Sequence, residues 1–179
     1  MIRLPSEIYF GDDRMHSETR IPRNGKEFIV FLAIVSILSV HTIAPLIMGL
    51  KFGFSKEVYL NTMKVIPFVW LCVIVLVPFV VNPLVTKLVA KFTASTDGFN
   101  ARVLFTILFS VTILSVLLTI IGSWIGMREI SLEPFRTFFY DWPRNFFIAF
   151  WIEALVAQPI ARYAMVKLHA AQERSAVSA

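Results

Sequence analysis

The sequence is poor in the residues that build soluble surfaces, redox centres and metal sites. Only 16% of its 179 residues are charged, three are histidine, and one, Cys72, is cysteine. A single cysteine excludes an intrachain disulfide and any CxxC motif for metal or redox chemistry. With 57% hydrophobic residues, the chain also has too little polar surface to coat a soluble globule of its size. The expected solvent is therefore a lipid bilayer.

Catalytic and nucleic-acid-binding motifs are missing as well. No hydrolase triad, phosphate-cradling glycine loop or metal-ligand cluster can be assembled, and His41 alone among the histidines lies in an apolar block. We therefore expect no enzyme, no metal and no other cofactor. The net charge of +5 comes from basic residues that are spread along helix ends and do not interleave with an aromatic stacking platform, so we expect no nucleic-acid partner.

Four apolar blocks are long enough to cross a membrane, at residues 28–50, 65–89, 103–126 and 146–168. A helix that rises about 1.5 Å per residue needs about 20 apolar residues to cross about 30 Å of hydrocarbon. The blocks show no alternation of apolar and polar residues, which argues against the strands of a closed barrel. The sequence predicts an all-α membrane protein with four transmembrane helices in the lipid bilayer.

The two halves of the chain resemble each other. A shift of 76 residues, without gaps, brings residues 37–40 (Ile-Leu-Ser-Val) onto the identical residues 113–116. The same shift aligns Ser55 with Ser131, Glu57 with Glu133, Pro67 with Pro143, Asn82-Pro83 with Gln158-Pro159, and Lys91 with Lys167. Each copy contains two crossings, so both copies have the same orientation across the membrane and a pseudo-two-fold axis along its normal.

This pattern predicts a tandem parallel repeat of two-helix hairpins. The predicted divisions are a polar cytoplasmic segment over residues 1–26, a first repeat over 27–91, a second repeat over 102–169 and a cytoplasmic tail over 170–179.

The start of the first repeat, residues 22–27 (Pro-Arg-Asn-Gly-Lys-Glu) before an apolar helix, resembles a bacterial membrane family known as domain of unknown function twenty-seven ninety-eight. The second repeat carries similar signature residues, namely Trp142, Asn145-Phe146, Ala149, Pro159 and Arg162. The first repeat ends with Pro83 and Lys87, but has Ile66, Val69 and Trp70 where the Trp and the Asn-Phe pair would stand. The resemblance spans residues 21–169 and implies two tandem copies and a bacterial origin, while the family name carries no activity.

The distribution of basic residues predicts the orientation. With four crossings, both termini and the loop between the second and third blocks lie on one side. That side holds eleven of the 17 Lys and Arg residues, and the other side holds six. Because cytoplasmic loops are enriched in Lys and Arg, we predict a multi-pass protein of the inner cell membrane with both termini in the cytoplasm.

Two ionisable residues inside the apolar blocks are the candidate site. Such groups cost at least about 2.5 to 3.5 kcal/mol at a helix centre. His41 and Glu153 both lie about 4 Å outside the bilayer centre by helix rise, and their mates at the 76-residue shift are the apolar Leu117 and Val77. We predict that His41 and Glu153 face each other inside the bundle, either as neutral hydrogen-bonding groups or as a proton-titrating pair.

Other features in the blocks predict packing. Gly122 and Gly126 form a GxxxG pattern, which favours close helix contact and a homo-oligomer. Ala149, Ala157 and Ala161 form a row of small residues that also contains Glu153. Prolines at Pro83 and Pro159 interrupt the helical hydrogen bonds, and we expect the preceding Asn82 and Gln158 to help satisfy the freed carbonyls.

Three hypotheses for the activity follow from these features. The first is a small transporter or permease-like protein that works as an oligomer. The second is a non-catalytic membrane scaffold or partner subunit, and the third is a sensor of protons or envelope stress. The residues leave the activity itself unknown, but loss of transport on replacing Glu153 with Gln would favour the first over the second.

Overall fold

The computed structural model describes residues 20–94 and 96–177, and all of the regular structure in these ranges is helical. Four of the helices are long and apolar enough to cross a membrane, namely α1 (Gly25–Phe52), α2 (Lys56–Phe92), α3 (Phe99–Met127) and α5 (Phe138–Ser175). The last part of α5 continues to Val177. A short helix, α4 (Glu133–Arg136), precedes α5. The predictions of an all-α chain and of four membrane-length helices are confirmed.

The helices extend beyond the apolar blocks. The helix α2 begins at Lys56, nine residues before the second apolar block, and α5 begins at Phe138, eight residues before the fourth. An apolar block marks only the part of a helix that faces hydrocarbon, while backbone hydrogen bonding continues into polar and aromatic turns beyond it.

Side chains before α1 and α2 satisfy the free backbone N–H groups of each first turn. Asn24 Oδ1 accepts a hydrogen bond of 2.9 Å from the Glu27 backbone N–H, and Ser55 Oγ accepts one of 3.2 Å from the Val58 N–H. Such caps fix where a helix begins. Between the two helices, Gly53 has φ of +90°, a backbone conformation that favours glycine, so the chain can reverse direction within a few residues.

Two π-helical turns interrupt the long helices, one at Val77–Val81 in α2 and one at Glu153–Ala157 in α5. The turns begin 76 residues apart. The backbone N–H groups of Asn82 and Gln158 donate to the carbonyls five residues earlier, at Val77 and Glu153. A proline follows each turn, at Pro83 and Pro159. Because proline has no N–H and its ring clashes with the carbonyl four residues earlier, the wider π turn accommodates it.

The four long helices pack in a ring in which α1 contacts α2 and α5, and α3 contacts α2 and α5. One buried cluster joins α1 to α5 through Val35, Ala157 and Ala161. A second cluster centres on Val40, Ile66 and Val73, and includes Leu114 and Leu118 of α3 at its edge. We call the contact between α1 and α5 the α1–α5 seam and that between α2 and α3 the α2–α3 seam.

Large apolar side chains cover much of the outside of the bundle. Examples are Phe68, Phe79 and Leu155, which are 62%, 77% and 66% exposed. In water such a surface would be costly, because contiguous exposed apolar patches of this extent are rare on soluble monomers. The exposed surface is therefore suited to lipid.

Candidate functional site

A carboxyl group lies in the α1–α5 seam. Ser39 Oγ donates a hydrogen bond to Glu153 Oε2, and Gln158 Nε2 donates one of 3.2 Å to Glu153 Oε1. Arg162 extends this row along α5, because its Nη2 donates to Gln158 Oε1 over 3.2 Å. Side chains thus connect Glu153, opposite the middle of α1, to a guanidinium farther along α5.

Small residues bring the two helices close enough for this contact. Ala157 and Ala161 follow Glu153 on the same face of α5, and both are 0% exposed because they pack against Val35 of α1. Without bulky side chains the α5 backbone can approach α1, so the short side chain of Ser39 reaches Glu153. The interpretation of Ala157 and Ala161 as a packing surface is confirmed.

His41 is not the partner of Glu153. Its side chain is exposed, and its Nδ1 lies 2.8 Å from the carbonyl oxygen of Ile37 in its own helix. Successive residues of an α-helix are rotated by about 100°, so His41 points about 200° away from Ser39. The prediction that His41 and Glu153 face each other is therefore wrong. The predicted depth of Glu153 was nearly right, because its partner Ser39 lies only two residues before His41 in α1.

The contacts of Glu153 suit a carboxyl group that changes protonation state. An ionised carboxylate accepts hydrogen bonds from the Ser39 hydroxyl and the Gln158 amide. A protonated carboxyl can donate to the Ser39 oxygen, because a hydroxyl group both donates and accepts, while the Gln158 amide continues to donate. The group can therefore bind and release a proton without leaving these partners unsatisfied.

An ion-pair cluster occupies the end of the seam formed by the C-terminus of α1 and the N-terminus of α5. Asp141, with a side chain 8% exposed, accepts hydrogen bonds from Lys51 Nζ at 3.1 Å and from Arg144 Nη2 at 3.0 Å. The Asp141 carboxylate thus pairs with two cations. Because all three charges lie at least partly buried in the seam, each would be costly without its partner.

Two neighbours of Asp141 connect α5 to α3. Trp142 Nε1 donates to Ser115 Oγ at 3.0 Å, and Asn145 Nδ2 donates to Thr119 Oγ1 at 3.2 Å. Ser115 and Thr119 are buried, which explains why helix α3 carries polar side chains on an otherwise apolar face. The Trp and Asn that the family resemblance singled out thus have a structural role between helices.

A second polar cluster closes the opposite end of the seam. Glu27, 5% exposed, lies with its Oε2 3.0 Å from Nε2 of His169, which is 1% exposed. Gln172 Nε2 also donates to the Glu27 carboxylate, over 3.4 Å, and so does the backbone N–H of Arg23, over 2.7 Å. Glu27 therefore satisfies the start of α1 and binds the last turns of α5 at the same time.

Sequence reasoning missed the clusters at both ends of the seam. It assigned no role to either His169 or Asp141. One usable signal was present, because Asn24 followed three residues later by Glu27 is the pattern of a helix-capping box. The contact with His169 spans 142 residues of sequence, so no local pattern could indicate it.

The remaining predicted residues lie as follows. Pro83 and Pro159 follow the π-helical turns, and the Gln158 side chain donates to the Glu153 carboxylate and not to a freed carbonyl. A Cβ placed on Gly122 or Gly126 would meet no neighbouring atom within 4 Å, so contacts among the described residues do not occupy this face of α3.

The described part of the chain contains no group of three or more His, Cys, Asp or Glu side chains that could hold a metal ion. Cys72 is a free, partly exposed thiol. The comparisons with known proteins add no further assignment, since no protein-family model, curated protein or solved structure matches this chain.

Proposed function

We propose that this chain is a small transporter-like protein of a bacterial inner membrane, in which Glu153 binds and releases a proton. The observation that carries the proposal is the placement of Glu153 in the α1–α5 seam, with Ser39 and Gln158 as partners that suit both protonation states. A carboxyl group inside a membrane-length helix is costly, and a role in moving or sensing protons accounts for its presence there.

Reconstituted proteoliposomes test this function. With an imposed pH gradient, the wild-type chain is expected to move protons across the membrane, and Glu153→Gln is expected to abolish the flux while folding and inserting normally. The matched control is Glu57→Gln, which changes an exposed acid in the first turn of α2. Wild-type flux in the Glu153→Gln vesicles would refute the role of Glu153, and a silent wild type would favour a scaffold or partner subunit.

We propose that the two helical hairpins are tandem copies of one unit, with both termini in the cytoplasm. The positions of the two π-helical turns support the repeat, because they coincide under the same 76-residue shift that aligns the sequences. The eleven-to-six distribution of Lys and Arg supports the orientation. A reporter enzyme that is active only in the periplasm, fused after residue 179, is expected to stay inactive.

We propose a homo-oligomer as the working form, since four helices leave little room for a pathway between them. The open face at Gly122 and Gly126 supports this arrangement, because GxxxG faces favour close helix contact in lipid. Gly122→Ile is expected to reduce cross-linking between copies. Unchanged cross-linking would remove this face from the proposed interface.

A further inference from the structure

The orientation of the Gln158 side-chain amide is fixed by the residue on its far side. Arg162 Nη2 lies 3.2 Å from one end of the amide, and Glu153 Oε1 lies 3.2 Å from the other. A guanidinium carries only hydrogen-bond donors, so the amide oxygen has to face Arg162. The amide nitrogen, which donates two hydrogens and accepts none, therefore faces Glu153.

This orientation decides which oxygen of Glu153 can carry a proton. The ionised carboxylate accepts from Gln158 at Oε1 and from Ser39 at Oε2. A hydroxyl at Oε1 would meet an amide nitrogen that cannot accept from it. The protonated group keeps both contacts when the proton is on Oε2, because the carbonyl at Oε1 still accepts from Gln158 and the hydroxyl at Oε2 donates to Ser39 Oγ.

Ser39 can accept that bond if its own hydroxyl turns toward a carbonyl of α1. Ser115, which occupies the same Ile-Leu-Ser-Val sequence in the second hairpin, already has this arrangement. Its Oγ accepts from Trp142 Nε1 at 3.0 Å and donates to the Thr112 carbonyl at 3.0 Å. Serine hydroxyls within helices can bond carbonyls of the preceding turn in this way. The two serines thus show the two directions that the hydroxyl can take.

The groups that face the Glu153 carboxylate come from α1 and α5. Among the described residues its hydrogen-bond partners are Ser39 and Gln158, and the charge that these contacts connect to it is that of Arg162. The helix α3 also packs against the π-helical turn, but its buried polar side chains bond other residues of α5. A change in protonation of Glu153 therefore acts first on Ser39 and Gln158.

We propose that the exchangeable proton of Glu153 resides on Oε2, facing α1, and that the Ser39 hydroxyl turns with each change of protonation state. Uptake forms an O–H bond at Oε2 with a proton that water supplies, and release returns that proton to water. Gln158 and Arg162 are positioning residues, because they keep Oε1 in the same hydrogen bond in both states. The inference rests on one part of the proposed function, namely that Glu153 binds and releases a proton.

Solid-state NMR of the full-length chain in lipid bilayers, at low and at high pH, tests the proposal. The ¹³Cβ signal of Ser39, assigned by its loss in Ser39→Ala, is expected to shift between the two pH values because the hydroxyl changes direction. The side-chain ¹⁵N signal of Gln158 is expected to remain that of a hydrogen-bonded donor at both. In Glu153→Gln the Ser39 signal should not move with pH.

Arg162→Met removes the donor that fixes the Gln158 amide, so the amide can turn over and accept from a proton on Oε1. The ¹⁵N signal of Gln158 is then expected to change with pH, and the shift of the Ser39 signal to become smaller. Arg162→Lys keeps a group that only donates and is expected to restore the wild-type pattern. Arg136→Met, at an exposed position of α4, is the matched control and should behave as the wild type does.

The outcomes separate this proposal from the proposed function. A Ser39 signal that stays fixed while the infrared carboxyl band of Glu153 titrates, or a wild-type pattern in Arg162→Met, would overturn this proposal alone. A Glu153 carboxyl that never changes protonation state would overturn both. A pH-dependent Ser39 signal without proton flux in proteoliposomes would support the turning hydroxyl and refute transport.

Discussion

The α1–α5 seam and the α2–α3 seam each join two membrane-length helices, but different kinds of side chain build them. In the α1–α5 seam, α1 contributes Glu27, Ser39 and Lys51, which are twelve residues or about 18 Å apart along the helix. Each contacts a polar residue of α5. Over the described residues, no side-chain hydrogen bond or ion pair joins α2 to α3. Apolar contacts such as the Phe92–Phe109 ring pair, with centroids 5.3 Å apart, join them.

Under the proposed repeat, the two seams are copies of one contact. The 76-residue shift places Val103, Ser115 and Met127 at the positions of Glu27, Ser39 and Lys51, and places Val65, Val77 and Thr93 at those of Asp141, Glu153 and His169. Serine stands at the corresponding position of both seams, but Ser115 Oγ accepts a hydrogen bond from Trp142 within its own hairpin.

The difference between the two seams shows that two membrane-length helices of this chain can pack together without polar contacts between them. Packing alone joins α2 to α3, as is common where lipid replaces water. The acidic and basic groups of the α1–α5 seam therefore carry a cost that the other seam avoids. We infer that the α1–α5 seam is where the molecule performs its function.

The largest effect is expected at the Asp141 end of the α1–α5 seam. Asp141→Ala leaves Lys51 and Arg144 without their shared carboxylate, which should lower the free energy of unfolding by about 3 kcal/mol. That value is at the low end for a broken buried pair, because the Lys51 and Arg144 side chains are 35% and 29% exposed. Detergent-induced unfolding in mixed micelles measures it, with the exposed Glu129→Ala as control. Equal stability of the two variants would show that the ion-pair cluster is not structural.

A carboxylate placed in the α2–α3 seam should be tolerated poorly. Val77→Glu copies Glu153 at the corresponding position, but Val77 lies among apolar residues that include Leu114 and Leu118. Ser115 is already engaged with Trp142 and the Thr112 carbonyl. We expect a loss of at least about 2.5 kcal/mol in the free energy of unfolding, with Val77→Leu as the control. A stable Val77→Glu variant would mean that a lack of hydrogen-bond partners is not the reason that the α2–α3 seam has no carboxylate.

The Glu27 end of the seam should respond less strongly. Glu27→Gln keeps the shape but removes the charge that His169, Gln172 and the Arg23 N–H share, so we expect a loss of about 2 kcal/mol in stability. Glu57→Gln also alters an acid in the first turn of a helix, but Glu57 is exposed, and its replacement should change stability by less than about 0.5 kcal/mol. If the two variants unfold alike, the contact between Glu27 and His169 does not join α1 to α5.

The smallest effect on stability is expected where function is expected to be lost. Glu153→Val converts the middle of the α1–α5 seam to the residue found at the corresponding position of the α2–α3 seam. Replacing a buried carboxyl with an apolar residue should change the free energy of unfolding by about 1 kcal/mol or less, because Ser39 can bond a carbonyl of its own helix instead. A loss of several kcal/mol would assign Glu153 a structural role.

The number of membrane-length helices and the approximate depth of Glu153 could be predicted from the sequence, whereas the direction of a side chain around the helix axis could not. The four apolar blocks predicted four helices. Counting residues along them predicted that Glu153 lies at the same depth in the membrane as the middle of α1. The partner was Ser39 and not His41, because a step of two residues keeps the depth but changes the face. The contact between Glu27 and His169 depends on how distant helices pack, which local patterns do not encode. The prolines signalled an interrupted helix, and the π-helical form of the interruption became visible only in the fold.

The most direct test of the account is an infrared pH titration of the chain in lipid nanodiscs, which follows the C=O stretch of protonated carboxyl groups. The difference between the wild type and Glu153→Gln isolates the band of Glu153. We expect a carboxyl band that titrates with pH, is absent in Glu153→Gln and shifts in frequency in Ser39→Ala, because the hydroxyl partner is lost. Identical titrations of the wild type and Glu153→Gln, or an unshifted band in Ser39→Ala, would contradict the claim that Glu153 exchanges a proton in the α1–α5 seam.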